Sequence, residues 1–229
     1  MCGRFVLTAT TEAIQQTFDL DSVPTSMLPR YNIAPTQPVG VITNDHPRQL
    51  TFQRWGLIPS WAKDPAIGNT LINARSETVE EKPAFRSAFK RRRCLIPADG
   101  FYEWKKDGKE KKPVFVHLKD NELFAFAGLW EVWHSPDGSE VQTCTILTTD
   151  PNPLMSQLHH RMAVILPKED YSVWLDKDAP PDVLKALLQP YDENRMAFYE
   201  VSKVVNSPYN DSAECIVPLT APPTQTPML

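Results

Sequence analysis

The chain predicts an α+β fold, mainly antiparallel β, with a barrel-like core and short helices flanking it. The first sign is a series of short apolar or alternating stretches, each ended by turn residues, with few helical stretches between them. The second is the Asp107-Gly108 pair between two such stretches, a hairpin signal. The third is the inversion of ordinary usage, with 22 prolines against 8 glycines in 229 residues. Loops held by Pro-fixed φ angles are stiff and irregular, which argues against an ideal Rossmann or TIM topology.

In order, 3–8 reads as a strand and 11–18 (TEAIQQTF) as a short helix. Residues 21–38, with four prolines, read as a long structured loop. Strands are expected at 39–43 and 50–57, then a helix at 83–91 with Pro83 in its first turn. Further strands are expected at 94–97, 100–106, 113–119, 123–130 and 141–148. Residues 153–158 suit one helical turn and 162–167 (MAVILP) a buried strand ended by Pro167. Helices at 168–175 and 181–188 and a strand at 196–202 complete a single domain over 2–215. Residues 216–229, Pro/Thr-rich with little to bury, read as a flexible tail.

The apolar fraction of 41% excludes disorder of the whole chain. No apolar run reaches the ~18–20 residues of a membrane helix, and MCGRF carries no apolar leader segment. A cytoplasmic protein without membrane partners is expected. Net charge is −4, yet 82–112 holds eleven Lys/Arg and four acids, a local +7. Such a stripe suits a polyanion groove; a solvated Lys-rich hairpin tip is the alternative. Of the four cysteines, Cys94, Cys144 and Cys215 sit in apolar contexts and read as reduced core thiols. No spacing suits a metal site, and no metal or cofactor is expected.

Cys2 differs in kind. A small second residue permits removal of the initiator Met, which leaves an amine and a thiol on adjacent carbons. Their pKa values, about 7.7–8 and about 8.5, keep both partly nucleophilic near neutral pH. A 1,2-aminothiol condenses with an aldehyde to an imine and closes through sulfur to a thiazolidine; an incidental Cys is the alternative. Glu103, in FYEWKK, is a carboxylate among aromatics that could move protons, or an ordinary strand charge. His159 and His160 precede a buried strand and can titrate near neutrality. Asn73 and Arg75 share one side of an extended segment, suiting orientation and a phosphate fork. Trp55, Trp61, Tyr102 and Trp104 could stack on bases or simply fill the core.

MCGRF, RYNIAPTQ, RWGLIPSWA, INARSET, CLIPADGFYEWKK, LHHRMAVIL and EVSKVVN, in that order from residue 2 to about 206, resemble the SOS response-associated peptidase (SRAP) family of abasic-site-processing proteins. The resemblance implies the SRAP fold, loss of Met1, and capture of the ring-opened abasic sugar in single-stranded DNA by Cys2 as a thiazolidine crosslink, with AP-lyase-type imine chemistry. It implies that Asn73 positions the Cys2 amine, that Glu103 shuttles protons and that His159 acts as general acid, with His160 as a competitor. Arg4, Arg75 and Arg161 match DNA-contacting basic positions, and Trp61 and Trp104 aromatic ones. Ala163 replaces the family's usual Pro and Leu158 its commoner Ile. The expected partner is abasic single-stranded DNA, bound by a monomer that is cytoplasmic and nucleoid-associated when on DNA. The other functions weighed are a Cys2-dependent thiol (auto)peptidase, with His159 as base, and a non-catalytic single-strand-binding module.

Overall fold

In the computed structural model, residues 2–219 are described. In chain order the strands are β1 (Phe5–Leu7), β2 (Arg30–Ile33), β3 (Pro38–Thr43), β4 (Leu50–Trp55), β5 (Asn73–Arg75), β6 (Arg93–Ala98), β7 (Gly100–Asp107), β8 (Glu110–Leu118), β9 (Phe124–His134), β10 (Glu140–Thr149), β11 (Met162–Ala163), β12 (Ile165–Leu166) and β13 (Met196–Glu200). The helices are α1 (Thr11–Phe18), α2 (Arg86–Arg91), α3 (Pro153–Ser156), α4 (Tyr171–Leu175) and α5 (Pro181–Ala186).

Strand β10 runs parallel to β4, and the antiparallel pairs β4–β3, β3–β6, β6–β9 and β9–β10 close the ring into a five-stranded barrel. Closure removes the edges that an open sheet exposes. A second sheet, ordered β13-β8-β7-β1-β2, lies beside it. Phe5 of β1 joins the two: its ring meets Trp55 edge-on at 5.3 Å and Phe126 at 5.8 Å. The expected class, mainly antiparallel β with a barrel-like core and short helices, is the one observed.

Local chemistry explains the elements read correctly. The Thr10 side chain accepts from Ala13 N–H at the start of α1, and Asp19 closes it in the left-handed region, φ 52°. Gly108, φ +59°, begins the two-residue turn between Asp107 and Glu110, which pair across the β7–β8 hairpin. Gly100 opens β7 because a Cβ there would lie 2.3 Å from Phe115 Cζ.

Three expectations change. The loop at 21–38 contains β2, an edge strand paired to β1. Distant partners hold it: the Asp211 carboxylate accepts from Tyr31 and Asn32 N–H, and Asn32 Nδ2 donates to the carbonyls of Val205, Ser207 and Asn210. The strand at 162–167 is two, because at Val164 the chain crosses between neighbours: β11 pairs with β10 and β12 with β9. The basic stripe divides between α2–β6 on the barrel and the β7–β8 hairpin in the other sheet, with Arg92 paired to Glu131 and Lys112 to Asp107. At the C-terminal side the packed chain passes 215, since Pro218 bridges Val201 and Leu219 N–H donates to Glu200 O. Residues 220–229 of the expected tail lie outside the described residues.

Arg93 is fully buried and donates to four carbonyls, those of Phe89, Lys90, Trp174 and Asp176, tying α2 and α4 to β6. Arg93→Met keeps the stem and strands those acceptors. The expected loss is about 3–5 kcal/mol, read as a Tm lower by roughly 10 °C in calorimetry.

Candidate active site

Cys2 is completely buried just ahead of β1, not a free surface thiol. Its carbonyl accepts from Asn73 Nδ2 at 2.9 Å. Asn73 opens β5, which runs parallel to β10 with Asn73 opposite Ile146. The amide's other end, Oδ1, is buried without a hydrogen-bond partner. An orphan acceptor costs about 1–3 kcal/mol in a finished interior, so one beside the chain's start marks a place built to receive a donor.

Glu103 reaches the same place from β7. The β1–β7 pairing continues past Phe5, with Tyr102 N–H donating to Arg4 O. Glu103 is 4% exposed, and burial raises its pKa above the ordinary carboxylate value. The Cys2 thiol is pushed far up, by burial first and by the Glu103 charge second. Cys2 is therefore held as a neutral thiol near a buried carboxyl group.

His159 follows α3. Its Nδ1 lies 3.0 Å from Arg161 N and 3.2 Å from Arg161 O, and its ring stacks on His160, centroids 4.3 Å apart. Burial lowers its pKa, and the charges of His160 and Lys106 add to that. The shift favours the neutral ring. The two histidines differ in setting: His159 is half-buried and tethered, His160 exposed. The Glu103 charge is felt at Cys2, so these two groups share one neighbourhood.

The basic and aromatic candidates separate. Arg75 is exposed beside Glu77, and Trp61 is 58% exposed, its Nε1 3.4 Å from Pro83 O. Arg4 is engaged within the fold, donating to Asn32 Oδ1 and to the carbonyls of Val205 and Asn206, with its guanidinium 6.0 Å from the Trp104 ring. Trp104 is half-buried and donates to Asn206 Oδ1. Arg161 is 6% exposed and bound to Asp150, Glu77 and Thr148 O. Sequence reasoning missed these partners, and Asn32 behind Arg4. Asn32 lies inside RYNIAPTQ, but nothing local distinguishes a buried bracket from a surface Asn.

The sequence model of the family described as SOS response associated peptidase (SRAP) matches residues 1–208. The chain belongs to this family. Among its relatives, the abasic site processing protein YoqW of Bacillus subtilis is 51% identical over 221 residues, covering 94% of this chain and 99% of that one. The abasic site processing protein HMCES of Gallus gallus is 36% identical over 197 residues, 75% of this chain and 58% of that longer one. A crystal structure of a protein from Bacteroides thetaiotaomicron superposes with a TM-score of 0.87 at 27% identity, covering 96% of this chain and all of the other. Among the described residues no helix is long and apolar enough to cross a membrane, and no cluster of three or more His, Cys, Asp or Glu could hold a metal.

Proposed function

We propose that this SRAP chain processes abasic sites in DNA by covalent capture at Cys2 in single-stranded DNA. Once Met1 is removed, the Cys2 amine adds to the C1′ aldehyde of the ring-opened sugar and water leaves, giving an imine. The Cys2 sulfur then adds to the imine carbon, and the thiol proton ends on the ring nitrogen. Amine, thiol and aldehyde thus become a thiazolidine and one water. Glu103 takes and returns protons, because its raised pKa lies closer to the operating pH. His159 donates to the sugar oxygen. Asn73 holds the Cys2 carbonyl and offers Oδ1 to the new amine. The exposed Arg75 and Trp61 suit a phosphate and a base of the strand. The same imine permits weak β-elimination.

The observation that carries this reading is the Asn73 bracket on Cys2, with its buried, unpartnered Oδ1, next to a carboxyl group of raised pKa. The peptidase alternative wants a thiolate activated by an adjacent base. Here burial opposes thiolate formation at Cys2, and His159 Nδ1 is engaged by Arg161.

The test is a single-stranded oligonucleotide with one abasic site. The expected product survives SDS and heat, with a mass equal to the Met1-free protein plus the DNA minus one water. A variant with Ala inserted ahead of Cys2 keeps amine and thiol but separates them, and should give no stable product. Undiminished product from that variant would overturn the thiazolidine.

A further inference from the structure

Across the β7–β8 hairpin, Lys105 stands opposite Lys112, Lys106 opposite Lys111, and Asp107 opposite Glu110. Like charges directly opposite one another destabilise a strand pair, and opposite charges support it. Part of the repulsion is relieved inside the fold. Lys112 Nζ lies 2.6 Å from Asp107, Lys203 Nζ lies 3.4 Å from Glu110, and Lys105 Nζ sits 6.0 Å from the centre of the Phe198 ring. Both acids of the hairpin are thereby engaged, and neither stands opposite Lys106 or Lys111. Lys106, Lys109 and Lys111 are exposed, and among the described residues none of the three has an ion-pair partner. Their place is the second observation. Side chains alternate between the faces of a strand, so Trp104 and Lys106 share one face of β7, and Lys111 joins them from across the pair. Trp104 and Lys106 are two positions apart, about 7 Å along the strand, and Lys106 stands about 10 Å beyond Glu103. The Lys106 charge is one of those that add to burial in lowering the His159 pKa. The exposed cations thus begin where the candidate site ends.

We propose that the β7–β8 hairpin is an electrostatic rail for single-stranded DNA beside the candidate site, with Lys106, Lys109 and Lys111 as its phosphate contacts. This rests on the DNA reading of the site, though not on its covalent chemistry. A phosphodiester backbone supplies the countercharge that no carboxylate of the hairpin gives these lysines, and its condensed counterions are released as it binds. Phosphates carry no sequence information, so the rail holds any strand, damaged or intact. The like-charge register costs the hairpin some stability and leaves cations available to the ligand.

The test separates stability from binding. Lys111→Glu turns the like-charge pair with Lys106 into an opposite-charge one, so its Tm should equal or exceed that of the wild type. Its affinity for an intact single-stranded oligonucleotide in low salt should nevertheless fall about tenfold, with a log–log salt slope shallower by about 0.7 or more. Lys106→Gln only removes a charge and should make the slope shallower by about 0.7. Lys119→Glu makes the same charge change at an exposed position just past the other end of β8, and should keep the wild-type affinity and slope. Wild-type slopes in both hairpin variants overturn the rail. So does a loss in Lys119→Glu as large as that in Lys111→Glu, which would mean that net charge alone sets the affinity. A Tm for Lys111→Glu well below the wild-type value overturns the argument from register, and Lys106→Gln then decides the phosphate contact by its slope. A wild-type chain that makes no heat-stable product with an abasic strand sinks capture at Cys2, while the slopes with intact DNA still decide the role of the hairpin.

Discussion

Cys2→Ala is expected to abolish the heat-stable DNA product completely while leaving an adduct that borohydride can trap. Alanine at the mature terminus still offers an α-amine to the sugar aldehyde, so the imine forms. It has no sulfur to close the ring, and an imine left open returns to aldehyde and amine in water. The two readouts therefore split the reaction at its middle. Denaturing gels without reductant should show no shifted band, and gels with borohydride should show one. The strand break from β-elimination should persist, because elimination needs only the imine. Full-strength, heat-stable product from Cys2→Ala would remove sulfur from the mechanism. The replacement loses one small buried side chain, so its Tm should stay close to that of the wild type and keep the loss attributable to chemistry.

Glu103→Gln is expected to slow crosslinking by about 10²–10⁴-fold, the usual scale for a lost acid–base group, and to change the shape of the pH profile. Glutamine fills the same volume and cannot accept a proton. Under the proposed mechanism two groups would limit the rate as pH falls: the amine, ordinarily near 7.7–8, and Glu103, ordinarily near 4.3. Burial raises Glu103, and a raised pKa means that its carboxylate is lost at a higher pH than for a free glutamate. The wild-type rate should therefore fall more steeply on the acid side than amine protonation alone allows. In Glu103→Gln the extra steepness disappears and the amine limb remains. Stopped-time crosslinking across pH 4–9 measures both slopes. An unchanged wild-type profile in the variant would remove Glu103 as the proton carrier.

Much of the fold was legible because its signals are local. Helix α1 carries a Thr cap and an apolar face at helical spacing, and the β7–β8 hairpin has its glycine where positive φ is needed. Strand β2 was hidden because its four residues are held by Asp211 and the turn around 205–210, about 175 positions away. The break at Val164 was hidden because an apolar run reads alike whether it serves one neighbour or two.

The candidate site divides in the same way. Which reactive types exist, and that an amine and a thiol would share adjacent carbons once Met1 is removed, is covalent chemistry and follows from the order of residues alone. Which cations are free is not. Arg4 binds a carbonyl 201 positions away and Arg161 a carboxylate 84 positions away, while Arg75 stays exposed. The burial that raises Glu103 and Cys2 and lowers His159 belongs to the packed sheet and barrel. Desolvation and pairing depend on neighbours in space, so only the tertiary structure decided which groups carry charge, which hold the frame, and which remain for a ligand.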